Sequence, residues 1–260
     1  MAVRAPSWFR PSRTVPLFAW GSQGSRWAIR PANVLILWAG LWIYGIGEAA
    51  LIDAHLGNTP WTVLAEGLHR HTGLSIGALT ILIGAVMFLG WYPLGQRPGF
   101  GSISNVILIG VSIDVMSPLM PRPTSVTAQL VQVVVGIVLG GLGCALYLST
   151  HLGPGPRDGW MLGLHQRFGW PIFWVRLAIE AGALGFGVLL GGTVGVATLI
   201  FTFTIGHMVA LWMTALHAID SATSRSPQLA YGNHSVSDIG TQVREVTGRE
   251  APDELWSGET

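Results

Sequence analysis

Four charged residues stand inside stretches that are otherwise apolar: Glu48, Asp114, Arg176 and Glu180. At the centre of a bilayer each would cost at least about 2.5 kcal/mol by insertion scales, so such residues pair with one another or serve a task. Arg176 and Glu180 are four apart, the spacing of neighbours on one helix face, and read as a structural ion pair. Arg176 also lies near enough to a helix end to snorkel. Glu48 and Asp114 have no basic neighbour at that spacing. Each falls in the later half of its apolar stretch, Asp114 beside Ser112 and Ser117. They are expected at overlapping depths, each facing the other or a cavity. Carboxyls so placed could take up and release a proton as a solute moves.

A second constellation occurs twice. His55-Leu56-Gly57-Asn58-Thr59-Pro60 is matched by His151-Leu152-Gly153-Pro154-Gly155-Pro156, and each is followed by Gly-Leu-His, at 67–69 and 163–165. Gly57 with Pro60, and Gly153 with Pro156, should end one helix and start another. Thr59 or Gly155 would be the N-cap, with proline at the first helical position. The new helix then presents free N–H groups and a partial positive charge. A helix broken at membrane depth lines a cavity, because lipid cannot satisfy its backbone. A surface loop with a short interfacial helix fits the same residues equally well. The imidazoles of His55, His69, His151 and His165 could relay protons or hold a metal. Capping broken helices is the simpler use, and no metal or cofactor is expected. The sites singled out for a solute or ion pathway are therefore Glu48, Asp114, His55, His151, Thr59, Pro60, Gly57, Gly153, Pro156 and Asp158.

These motifs belong to a longer self-similarity. A shift of 96 residues superimposes Ile46-Gly47-Glu48-Ala49 on Leu142-Gly143-Cys144-Ala145, and Gly73, Gly95, Gly99 and Gly110 on Gly169, Gly191, Gly195 and Gly206. The four intramembrane charges are not repeated; Glu48, Asp114, Arg176 and Glu180 meet Cys144, Ala210, Thr80 and Gly84. The scaffold is symmetric and the charges are not.

The elements that must position these residues are membrane helices. Of 260 residues, 50% are hydrophobic and 10% charged, with a mean hydropathy of +0.51. So few charges cannot solvate a globular surface of this size. Six stretches reach spanning length, near 33–54, 73–92, 102–120, 126–149, 172–192 and 194–217. All fourteen basic residues are arginine. Arg4, Arg10, Arg13, Arg26 and Arg30 precede the first span, and Arg97, Arg157, Arg167, Arg225, Arg244 and Arg249 fall on the same side if six spans alternate. Only Arg70 and Arg122 fall opposite. The positive-inside rule then places both termini in the cytoplasm of a multi-pass cell-membrane protein.

The fold class expected is all-α: a polytopic transmembrane bundle of about six spans, built as a 3+3 inverted repeat. Three spans per repeat is an odd number, so the halves lie in opposite orientations, a plan common among secondary transporters. The divisions are an Arg/Trp-rich cytoplasmic arm (1–32), membrane repeats at 33–121 and 122–217, and a polar cytoplasmic tail (218–260). The arm does not read as a cleaved signal peptide. It is expected along the inner leaflet or as a disordered segment, and the tail holds at most one short helix around 236–247. The Asn233-His234-Ser235 sequon is chance on a cytoplasmic tail.

The repeated motif also carries a resemblance. Two copies of Gly-x-x-Pro-aromatic-Asp followed by Gly-Leu are similar to the YitT/YczE-like family of bacterial integral membrane proteins. The first copy keeps the aromatic, Trp61, with Thr62 at the aspartate position; the second keeps Asp158, with Arg157 at the aromatic position. The resemblance spans about residues 33–217 and implies a fold, not an activity.

Enzymatic chemistry is not expected. Gly73-Leu74-Ser75-Ile76-Gly77 matches a nucleophile elbow but opens a spanning helix, and Pro171 replaces Ser75 in the other repeat. The lone Cys144 excludes an intrachain disulfide and a thiolate zinc cage. The leading expectation is a secondary transporter or permease for a small solute, coupled to protons or not. The alternative is a membrane-embedded regulatory or scaffolding protein acting through its two ends. The partners expected are the lipid bilayer and a small-molecule solute, with homo-oligomer formation left open, and no nucleic acid.

Overall fold

The computed structural model describes residues 18–22 and 24–223. The arm before residue 18, and the tail helix and sequon after 223, lie outside the described residues. Eight helices follow in order: α1 (Pro31–Asp53), α2 (Pro60–Thr72), α3 (Ile76–Trp91), α4 (Phe100–Met116), α5 (Val126–Ser149), α6 (Pro156–Phe168), α7 (Ile172–Leu189) and α8 (Val196–Thr223). There is no strand among the described residues. Five helices (α1, α4 with the short 3-10 turn that follows it, α5, α7 and α8) are long and apolar enough to cross a bilayer. The pair α2–α3, bent by 113° at residues 73–75, is a broken sixth span or a re-entrant segment, which gives five to six spans among the described residues.

Large apolar side chains cover the outside of these helices. Leu35, Leu89, Val131, Phe173, Leu199 and Phe203 are all exposed. Water would not tolerate this density of apolar surface, whereas lipid requires it. The chain is an integral membrane protein.

Contacts at the helix ends sort them into two groups. At one end Asp53 accepts from Ser117, Asn58 donates to the Thr193 carbonyl, and Asp114 meets the start of α3. At the other, Trp20 donates to Ser149, Trp91 to the Pro156 carbonyl, and Gly101 to Leu152. Successive spanning helices therefore alternate in direction. Residues 18–22 pack on the second group: Phe18 is buried against Ala145 and Met213, and the backbone of Ala19 donates to Asp220. Trp27 and Ile29 are exposed on the same end.

The α1–α5 seam is built from glycine. A Cβ placed on Gly47 would lie 2.6 Å from the Gly136 carbonyl oxygen, and one on Gly143 would lie 2.5 Å from that of Gly40. Without side chains the backbones approach closely, the small-residue mode of membrane helix packing. Under the 96-residue shift Gly40 becomes Gly136 and Gly47 becomes Gly143, so these two contacts exchange. The same holds elsewhere. Gly101 donates to Leu152 and Ala197 to Leu56, both at 2.9 Å. Within each stretch, His69 Nδ1 meets the Leu74 carbonyl at 2.6 Å and His165 Nδ1 that of Trp170 at 2.7 Å, the same contact at positions 96 apart.

Candidate functional site: a central charged cavity

Each short helix starts as its residues dictate. Two residues past the ends of α1 and α5 stand His55 and His151, whose φ values of 56° and 54° put a non-glycine residue in the left-handed region. Gly57 and Gly153 follow at φ 107° and 131°, where only glycine is comfortable. Gly57 presses on Gly195 and Gly153 on Gly99, so added side chains would also collide. Thr59 then caps α2 by accepting from Thr62 N, with Pro60 at the first position; α6 likewise has Pro156 at its first position, but its N-cap Gly155 has no side chain to accept. Glu66 fixes the far part of α2 by accepting from Asn58, from Arg70 and from both the backbone and hydroxyl of Thr193.

The N-termini of α2 and α6 line one cavity of about 330 Å³. Thr59, Pro60, Trp61 and Thr62 come from the first, and Gly155, Pro156, Arg157 and Asp158 from the second. These eight residues are four pairs under the 96-residue shift. The remaining wall includes Tyr44 and Glu48 of α1, Thr80 of α3, Asn105 of α4, Tyr147 of α5, Arg176 and Glu180 of α7 and Phe201 of α8. Every helix of the bundle reaches it.

Glu48 is 5% exposed and its Oε2 accepts from Thr62 at 2.7 Å and Thr59 at 3.0 Å. Both donors stand at the first turn of α2, where the helix dipole also favours an anion. Across the cavity, Glu180 Oε1 receives Arg176 at 3.1 Å and Arg157 at 3.4 Å, and Arg157 lies 3.7 Å from Asp158. Tyr147 OH donates to Asp158 at 3.1 Å. The Trp61 indole nitrogen is buried with no hydrogen-bond partner.

The sequence-derived sites divide accordingly. Glu48, Thr59, Pro60, Pro156 and Asp158 are brought together in the cavity wall. His55, His151, Gly57 and Gly153 are absent from it and terminate helices instead. Arg176 and Glu180 form the expected pair, but on the cavity wall and shared with Arg157, so the reading of an isolated structural pair is too narrow.

Asp114 is the clearest correction. Its carboxylate does not meet Glu48. It accepts from Ser75 Oγ at 2.5 Å and Gly77 N at 2.8 Å, holding the first turn of α3. The expected facing direction fails because α3 inserts its N-terminus beside Asp114. Asp114→Asn is expected to lower the stability of the purified protein by about 1 kcal/mol through the weakened cap, and to leave cavity binding unchanged. Thermal unfolding in detergent beside a binding assay checks both halves.

Sequence reasoning left Arg157, Thr62, Tyr44 and Tyr147 off its list of pathway residues. Two signals were present. Arg157 and Thr62 are the positions at which the two motif copies depart from the family pattern, and Tyr44 is one helical turn before Glu48.

Fold and site together define a polytopic α-helical membrane protein with a central charged cavity. The family described as "Family of unknown function (DUF6198)" matches residues 31–214, and the chain belongs to it. A Haemophilus influenzae protein titled "Uncharacterized protein" is 36% identical over 219 residues, covering 84% of this chain and 97% of that one. The Bacillus subtilis "Uncharacterized membrane protein YczE" is 33% identical over 202 residues, 73% of this chain and 93% of its own. The Bacillus subtilis "Uncharacterized protein YyaS" is 26% identical over 174 residues, 65% and 86% of the two chains. The resemblance to YczE-like proteins read from the repeated motif is borne out. No solved structure matches.

Proposed function

We propose that this protein is a secondary transporter or permease for a small solute, coupled to protons through Glu48. One observation carries the reading: both short helices start at a single cavity, buried among spanning helices and walled by charges from the two halves. The reciprocal contacts under the 96-residue shift support an inverted duplication of residues 33–121 and 122–217, the arrangement that lets a central site open alternately to either side. The arginine distribution supports a cell-membrane protein with both termini cytoplasmic.

The test is flux. Purified protein in proteoliposomes, screened with charged and neutral solutes under an imposed pH gradient, is expected to move at least one of them. Glu48→Gln should reduce gradient-driven uptake by about tenfold or more and remove its pH dependence. Deleting residues 221–260 should leave uptake intact, whereas a scaffolding role through the tail would be lost with it. Absence of flux for every solute, with a phenotype that tracks the tail, would sink the transport reading.

A further inference from the structure

The charges on the cavity wall do not balance. Three carboxylates, Glu48, Asp158 and Glu180, face two guanidiniums, Arg157 and Arg176. Both guanidiniums are engaged with Glu180 or Asp158. Glu48 makes no ion pair among the described residues; the hydroxyls of Thr59, Thr62 and Tyr44 donate to it, and Arg157 acts on it only at longer range. A single uncompensated negative charge inside a bilayer is held only with a counter-charge, whether a proton or a bound cation.

The rest of the wall says which cation. The space is far larger than a bare metal ion needs. Beside Glu48 stand only the hydroxyls of Thr59, Thr62 and Tyr44, short of the about six oxygens that a hard metal cation gathers. Around them stand the rings of Tyr44, Trp61, Tyr147 and Phe201, with aliphatic side chains between. Aromatic faces attract a poorly hydrated organic cation, and apolar walls bury its body.

We propose that the cavity binds a monovalent organic ammonium ion with an apolar body, and that this cation and a proton occupy Glu48 in turn. This rests on the transport reading and names its solute class. The exchange is a matter of charge: Glu48 carries the proton when the cation is absent and releases it to water when the cation enters. The other titratable groups facing this space are Tyr44 on α1, Cys144 and Tyr147 on α5, Asp158 on α6 and Glu180 on α7, with Arg157 and Arg176 as fixed cations. Cavity residues of α2, α3, α4 and α8 are not titratable. Asp158 and Glu180 are paired with guanidiniums, so Glu48 is the carboxyl left to exchange.

The test uses the full chain in nanodiscs and benzyltrimethylammonium as probe, with phenylacetate as its anionic counterpart and sodium ion as a separate arm. Binding is expected at about pH 8 and should weaken by about tenfold per pH unit once Glu48 is protonated, the slope of a one-proton linkage. Under those acidic conditions, wild-type protein should release about one proton per cation bound, a readout that needs no variant. Glu48→Gln should weaken binding by about tenfold or more and abolish the pH dependence, while Asp114→Asn binds as wild type. Equal binding by wild type and Glu48→Gln, or cation binding without proton release, overturns the proposal. Phenylacetate binding in place of the cation overturns it too but leaves a transporter of another solute class. Saturable sodium binding that depends on Glu48 overturns it in favour of a metal ion. Failure of every probe here, together with absence of flux in proteoliposomes, removes the transport reading as well.

Discussion

Glu180→Ala is expected to destabilise the folded protein by about 2–3 kcal/mol, near the lower limit for removing one partner of a buried ion pair. Two guanidiniums converge on the same oxygen, so one substitution strands Arg176 and leaves Arg157 only Asp158, at 3.7 Å. The discount reflects exposure: the Arg176 side chain is 43% and the Arg157 side chain 30% accessible, leaving each some access to water or headgroups. The other half of the molecule offers a remedy. At the positions related by 96 residues stand Gly84 and Thr80 in place of Glu180 and Arg176. Glu180→Ala combined with Arg176→Thr should therefore recover about half or more of the loss, because the stranded charge is removed with its partner. Thermal unfolding of the two single variants and the double variant in one detergent measures the coupling. Additive effects, or wild-type stability for Glu180→Ala, would mean that the three-residue cluster holds nothing together.

Much of this architecture is legible in the sequence because its signals are local. The ends of α2 and α6 follow from a proline at the first helical position and a glycine past the last residue, and both helices end at the glycines, Gly73 and Gly169, that the 96-residue shift matches. The spans follow from length and hydropathy. What a one-dimensional pattern lacks is the direction in which a side chain points. Glu48 and Asp114 are both carboxylates in the later parts of apolar helices, yet one faces the cavity and the other the first turn of α3, a difference set by which helix packs against each. Arg176 and Glu180 were paired correctly from their spacing, but their third partner, Arg157, arrives from a separate short helix. The charge imbalance of the cavity becomes visible only once α1, α6 and α7 are brought to one place.

Trp91→Ala is expected to cost about 3–5 kcal/mol, the range for truncating a large aromatic side chain in a packed core. Trp91 is 1% exposed, packs edge-on against Phe88 and donates its indole N–H to the Pro156 carbonyl at 2.8 Å. Its ring fills the space beside Gly159, where any Cβ would collide with it. The counterpart contact is closed differently. Under the 96-residue shift Trp91 becomes Gly187 and Gly159 becomes Val63, and Gly187 lies directly against the backbone of Val63 and Leu64. There α7 and α2 meet backbone to backbone, whereas between α3 and α6 the Trp91 ring fills the gap, so truncating it leaves a void. The loss also reaches the cavity, since Pro156 opens α6 and the next two residues are Arg157 and Asp158. Trp91→Phe keeps most of the volume and should cost about 1–2 kcal/mol, chiefly for the orphaned Pro156 carbonyl. Trp174, 62% exposed on the lipid-facing side of α7, serves as the control, and Trp174→Ala should unfold close to wild type in detergent. If Trp91→Ala and Trp174→Ala unfold together, Trp91 is lipid-facing surface and the α3–α6 contact does not position the cavity wall. If Trp91→Ala alone is destabilised and its folded fraction also loses solute binding, the ring is what holds Arg157 and Asp158 in place.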